Sequence, residues 1–336
     1  MLQACSSDHV LTPLFGSAEL ALCGSGPRGV VHSCAGERCG EAPTGRILPR
    51  VSTLRPLRQG PTLIDEYREL RAQGITRAEI RDALVLGRIA RARRDVYVHQ
   101  PASEPLMQAL RLGGRLACAS AAEALGLWVP RDGRLHVHVW EGSTRLRDPR
   151  DASRRLTRRE GVVLHWWALD PSDGTRCSTS ATAAVRCIAR CFSVEDAIRV
   201  ADSALQRRLA SITDMRTALA GSTWLEAPAI DAVDGLCGSG YETDAKLLLL
   251  EAALQFEQQV AIPDVGRVDF VVGGCVIVEI DGRETHEQTL EEDRARDAAA
   301  LLRGYLTVRL SAKWLAANPS AFIPIVRAAL RLHPHG

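Results

Sequence analysis

Three carboxylates interrupt two short apolar runs near the C-terminal end of the chain. Asp269 lies in Arg267-Val268-Asp269-Phe270-Val271-Val272, and Glu279 and Asp281 lie in Val276-Ile277-Val278-Glu279-Ile280-Asp281. Both runs read as strands of a sheet covered on both faces. Burying three carboxylates there without partners is costly, and a bound divalent cation removes most of that cost. A fourth carboxylate, Glu242, comes from a helix expected over about Tyr241 to Gln258. On a helical wheel Ala245, Leu249, Ala253 and Phe256 share its side, while Asp244, Glu251, Gln255 and Gln258 take the other. Glu242 therefore points along the core-facing stripe. Its alternative role is an N-terminal carboxylate favoured by the helix dipole.

Register decides whether these groups meet. Glu279 and Asp281 share a face by the period of two. A two-residue turn at Gly273-Gly274 pairs Asp269 with Val278 and puts Glu279 on the other face. A three-residue loop, Gly273 to Cys275, pairs Val272 with Val276 and Asp269 with Glu279. A shared metal site requires the odd loop or a bulge with the same effect. The same register sets Arg267 opposite Asp281 as a salt-bridge partner.

The elements that must carry this site fall into a mixed α/β chain of several domains. Residues 1–60 hold scattered Gly, Pro, Ser and Cys with no lasting periodicity, as in disorder or a leader called from too early a start. Leu63, Ile64, Tyr67 and Leu70 recur at helical spacing up to Gly74. Thr76 and Glu79 form the capping box of a second helix carrying Ile80, Ala83 and Leu84. Arg88 to Val98 reads as two strands around a basic turn, so residues 61–100 have the order of a winged helix-turn-helix. Residues 101–228 form an α/β segment. It has a helix over Leu116 to Leu127, strands over Leu135 to Trp140 and Val162 to Trp167, and helices over Ala181 to Arg190 and Val194 to Leu209. The run Arg145 to Glu160, with seven arginines, reads as a loop or solvated edge. A Gly-rich linker, Asp234 to Gly240, precedes the last domain, 238–336.

Charge is unevenly spread. Residues 61–160 hold 19 arginines against 13 acids, and residues 235–336 hold 14 acids against 10 bases. The basic front suits a polyanion, although only two of the 42 basic residues are lysines, a skew that composition alone explains. Of ten cysteines, Cys177, Cys187 and Cys191 are the later group worth weighing. Cys187 and Cys191 sit one helical turn apart, but no second pair with zinc-like spacing follows, and buried, reduced thiols are expected. No apolar run approaches the roughly 18 residues that cross a bilayer, and no secretory signal opens the chain. A cytoplasmic protein without a membrane partner is expected.

The residues Val268-Asp269-Phe270, then Val278-Glu279-Ile280-Asp281-Gly282 and His286, resemble the very-short-patch-repair-like endonuclease domain of the PD-(D/E)-x-K, restriction-endonuclease-like superfamily. Asp293-Arg294-Ala295-Arg296-Asp297 and Leu301 to Leu310 continue the likeness as a helix and a third strand, over residues 238–331. The resemblance implies phosphodiester hydrolysis, with Glu242, Asp269 and Glu279 holding Mg²⁺ and Asp269, Glu279, Asp281 and His286 catalytic. The superfamily's lysine, two residues after the glutamate, is Asp281 here, and His286 is then the residue to assist proton transfer. Arg294 and Arg296 are candidate phosphate contacts.

The front half is similar to the AbiEi-type antitoxin domain, a winged-helix fold, over Ile75 to Arg81, Gly87-Arg88, Asp95 to Val98 and His136 to Val139. This resemblance implies DNA as partner, with Arg77 and Arg81 facing the major groove and Arg91, Arg93 and Arg94 on phosphate. The leading expectation is an Mg²⁺-dependent DNA endonuclease guided by its N-terminal domain. A homodimer is a further expected partner, since a double-strand cut by one such site usually needs two subunits. The rival is a non-catalytic DNA-binding regulator of antitoxin type with a degenerate nuclease fold.

Overall fold

The computed structural model describes residues 64–168, 170, 172–220, 230–282 and 287–333, without the side chains of 287–290. The chain divides into two units. Met1–Thr53 lies outside the described residues, as does the whole expected leader, and all the described residues belong to Leu54–Gly336. Among the described residues the architecture is mixed α/β, with three sheets. Among the described residues no helix is long and apolar enough to cross a membrane.

The basic front block contains β1 (Ile64–Glu66), α1 (Tyr67–Ala72), α2 (Arg77–Val85), β2 (Ile89–Arg93) and β3 (Val96–His99), in sheet order β1-β3-β2. The capping box forms as read: Glu79 N–H donates to the Thr76 hydroxyl and Thr76 N–H to the Glu79 carboxylate. Asp95, at φ 62°, makes the tight turn between the basic strands. The helix expected from Leu63 starts only at Tyr67. Ile64 is extended and pairs with Val98, and Glu66 N–H donates to the Glu69 carboxylate, which starts α1 there. Arg176 grips the same carboxylate with two nitrogens at 2.6 and 2.5 Å and holds it down at about pKa 2.

The middle segment adds α3 (Glu104–Leu112), β4 (Arg115–Leu116), α4 (Cys118–Ala124), β5 (Leu135–His138), β6 (Val162–His165), α5 (Ala181–Cys191), α6 (Val194–Gln206) and α7 (Ile212–Ala220). Its sheet runs β4-β5-β6, with β5 and β6 parallel. Val185, Ile188, Ile198, Met215 and Leu219 pack α5, α6 and α7 into one core. The helix expected from Leu116 starts at Cys118, because Arg115–Leu116 pairs with β5.

The C-terminal segment runs α8 (Gly240–Glu251), β7 (Phe256–Ile262), β8 (Gly266–Val272), β9 (Val276–Asp281), α9 (Glu287–Leu302), β10 (Leu306–Ser311), α10 (Ala312–Ala317) and α11 (Pro319–Leu332). The sheet order is β10-β9-β8-β7, parallel only between β10 and β9. The expected helix over Tyr241 to Gln258 is two elements. α8 stops at Glu251, Ala253 turns into the left-handed region at φ 53°, and Phe256 starts an edge strand along β8. Phe256, Gln255 and Gln258 therefore leave the helical wheel, although Glu242 is buried as that wheel required.

The Gly-rich stretch before α8 is tied down rather than loose. Asp202 of α6 accepts from the N–H groups of Asp234 and Gly235 at 3.0 and 2.9 Å. A Cβ on Gly240 would fall 2.4 Å from Trp128 Nε1, so this contact requires glycine.

Candidate functional site

Val272 pairs with Val276 and Phe270 with Val278, the register of the three-residue loop. One step further along both strands sets Asp269 beside Glu279. There the backbone ladder gives way to a side chain, as Ile280 N–H donates to Asp269 Oδ2 at 2.9 Å. The two faces of the sheet are distinguished by their cores. Phe270, Val272, Val276, Val278 and Ile280 pack with Leu249 of α8 and Phe322 of α11. Val271 and Ile277 pack with Ala300 of α9. By the period of two, Glu279 and Asp281 follow Ile277 to the α9 side, and Val268 packs on that side as well, so the alternation of β8 breaks at Asp269.

Two arginines reach that side from different elements. Arg296 of α9 donates to Glu279 Oε1 at 2.9 Å and to the carbonyls of Val265 and Arg267. Arg309 of β10 lies beside Glu279 in the parallel register. Its guanidinium contacts Glu279 Oε2, Asp281 Oδ1 at 3.5 Å, Asp293 at 3.6 Å and Asp297 at 3.1 Å. Each oxygen of Glu279 therefore meets a guanidinium. Asp281 pairs with Arg309, not with Arg267 as expected, because Arg309, level with Glu279 in the parallel strand, reaches two residues along to it. Arg294 points elsewhere, to an exposed pair with Glu291.

Glu242 and Asp269 are held differently. Gln259 donates to both, at 3.2 and 3.4 Å, and its φ of 52° breaks the regular course of β7 at that point. Glu242 also accepts from Gly238 N–H at 2.7 Å, while Ser239 caps α8. Its alternative role as an N-terminal helix carboxylate is thus present in the same side chain. Burial pushes the Glu242 carboxyl above the usual range, and the Asp269 charge adds to the effect. Burial also raises Asp269, against the Ile280 N–H and Gln259 hydrogen bonds. For Glu279 burial again raises the pKa, and Arg309 and Arg296 oppose it.

A stability consequence follows for Asp269. Its folded pKa lies above the unfolded value of about 3.9. The folded state therefore binds the extra proton, and ionising Asp269 costs stability as pH rises through the folded pKa. Asp269→Asn keeps a carbonyl for Ile280 N–H and removes the charge. Without metal, this variant is expected to melt higher than wild type near pH 8, with the gap closing toward about pH 4. Scanning calorimetry across that range checks it, and a gap of constant size would contradict the assignment.

The donor chemistry fits a hard cation in part. Glu242 and Asp269 are desolvated oxygens hydrogen-bonded by amides, which suits Mg²⁺, whereas Glu279 is held by guanidinium groups. Among the described residues, the clusters whose ligand atoms all lie within 4.8 Å of one another do not include these three acids. His286 lies outside the described residues.

The five arginines expected at DNA are all exposed. Arg77 donates to Tyr67 Oη at 2.6 Å, Arg91 to its neighbour's carbonyl at Arg93, and Arg94 lies 3.6 Å from Asp95. Arg93 and Arg94 line a cleft of about 360 Å³ together with Arg145 and Arg147. These last two come from the run expected to be a loop or solvated edge, and it is largely loop. The sequence carried their charge but not the fold that returns them to the β2–β3 turn. Arg309 and Gln259 were likewise missed, since neither lies near the acids in sequence. The chain matches no known family model and no curated protein.

Proposed function

We propose that this protein is a Mg²⁺-dependent DNA endonuclease of restriction-endonuclease-like fold, guided by a winged-helix region with the arginine cleft beside it. The observation that carries the reading is the three-residue loop, whose register runs from Val272–Val276 to Phe270–Val278 toward Asp269 and Glu279, with Gln259 donating to both Glu242 and Asp269. Glu242, Asp269 and Glu279 are the residues to hold the ion, which when bound supplies a polarised phosphate and a more acidic water. Arg309 brings a fixed positive charge to Asp281, the position where the superfamily carries lysine. Exposed Arg77 and Arg81 face the major groove and exposed Arg91, Arg93 and Arg94 bind the duplex backbone, so affinity falls steeply with salt.

Mg²⁺-dependent nicking of supercoiled plasmid by wild type and by Asp269→Ala tests the reading. Equal cutting by both removes the site. The second reading is a DNA-binding regulator that does not cut, and it is favoured by the two guanidinium groups on Glu279. Salt-dependent DNA binding with no cutting by the wild type in Mg²⁺ or Mn²⁺ would establish it.

A further inference from the structure

Far from the acid site, Cys118, His165, Cys187 and Cys191 converge, with one ligand atom from each lying within 4.8 Å of all the others. Cys118 opens α4, His165 ends β6, and Cys187 and Cys191 occupy one face of α5. Cys187 is buried and free as expected and Cys191 is free too, but Cys191 is exposed rather than buried, and the expectation overlooked both partners from other elements. We propose that these four side chains form a structural Zn²⁺ site of Cys₃His type.

The distances agree with that coordination. Tetrahedral zinc, with bonds of about 2.3 Å to sulfur and 2.0–2.1 Å to nitrogen, separates its sulfur and nitrogen ligands by about 3.6 Å. His165 Nδ1 lies 3.5 Å from Cys187 Sγ and 4.0 Å from Cys191 Sγ, and its Nε2 lies 3.8 Å from Cys187 Sγ, so Nδ1 is the nearer nitrogen. Behind the cluster, His165 Nε2 lies 3.1 Å from His136 Nδ1, and His136 Nε2 lies 2.9 Å from Asp132. The carboxylate accepts from His136 Nε2–H, so a neutral His136 presents a bare Nδ1. His165 must then donate from Nε2, which leaves Nδ1, the nitrogen nearer Cys187 Sγ, without a proton and free to bind the ion. This is the outer chain that orients a metal-binding imidazole.

Two further observations fit. Cys118 holds a strained left-handed conformation, φ 51°, while its side chain is fully buried against the others. Cys191 at the surface gives the ion a way in. The contrast with a second cluster is instructive. Asp202, Asp234 and Cys237 also lie within 4.8 Å of one another, but the Lys246 ammonium already sits 2.6 and 3.0 Å from the two carboxylates.

The test is elemental analysis of the full chain purified without chelator. Wild type and Asp269→Ala are expected to carry about one zinc per chain, and Cys191→Ala, at an exposed position, less than about a tenth of that. Co²⁺ exchanged into the wild type is expected to show the visible bands of a tetrahedral, thiolate-rich centre, absent from Cys191→Ala. Cys187→Ala serves as the buried companion, judged by circular dichroism. Metal-free wild type that gives no tetrahedral Co²⁺ spectrum would overturn the site. So would full zinc retention by Cys191→Ala.

Discussion

In Mg²⁺, wild-type protein is expected to nick supercoiled plasmid, and Asp269→Ala to lose roughly 10³-fold of that rate. Losing one preorganised electrostatic group at a reacting phosphate costs about 3–4 kcal/mol of barrier, which is of that order. Asp269 carries the larger share because it joins both halves of the site. It reaches Glu242 through Gln259 and lies next to Glu279 in the strand register. Arg309→Lys sharpens the result. Lysine keeps one positive charge but cannot span Glu279, Asp281, Asp293 and Asp297 as the guanidinium does. On the nuclease reading this variant keeps measurable cutting and Arg309→Ala does not. If both cut as well as wild type, Arg309 serves only the ion pairs around it.

The second large effect concerns folding. Lys246 and Asp202 are each about 1% exposed and meet at 2.6 Å, with Asp234 at 3.0 Å from the same ammonium. Burial works against the Lys246 charge, but Asp202, Cys237 and Asp234 outweigh it and raise the pKa. Lys246→Met leaves the Asp202 carboxylate buried with only N–H and hydroxyl donors from Asp234, Gly235 and Thr243. Stranding a buried charge in this way costs about 3–5 kcal/mol. Urea unfolding is expected to show a loss of that size, with much of it restored in Lys246→Met/Asp202→Asn. A loss under about 0.5 kcal/mol, typical of an ordinary surface change, would refute the assignment.

The sequence made some of this legible for physical reasons. A capping box is local, and Thr76 with Glu79 could be read directly. The hairpin was readable because two glycines separate two apolar runs, but whether its loop held two residues or three was not, and the pairing of Val272 with Val276 decides for three. β7 was hidden. Its Glu257-Gln258-Gln259 lacks an apolar alternation, and Ala252-Ala253 prolongs the helical pattern of α8 past its end. The strand exists because it pairs with β8, a contact that propensity does not encode. Arg309 belongs to a parallel neighbour reached across α9, and Cys118 and His165 come from separate elements. Such groups meet only through tertiary packing, so spacing rules for contiguous zinc motifs pass over them.

The close approach of Gly240 to Trp128 has a consequence for how this chain can be taken apart. Arg199 of α6 bonds Asp244 of α8, and its guanidinium lies 5.1 Å over the Trp128 ring. Together with Lys246 on Asp202, this makes the seam before α8 an interlocked joint, although its composition looks like a hinge. The last hundred residues are therefore a poor cassette. A fragment cut at residue 238, or a chimera that grafts it onto another front half, would carry Lys246 and Asp244 without the α6 residues that match them. Gene fusions that exchange this segment between proteins have to carry α6 and Trp128 along, or redesign both sides of the joint at once.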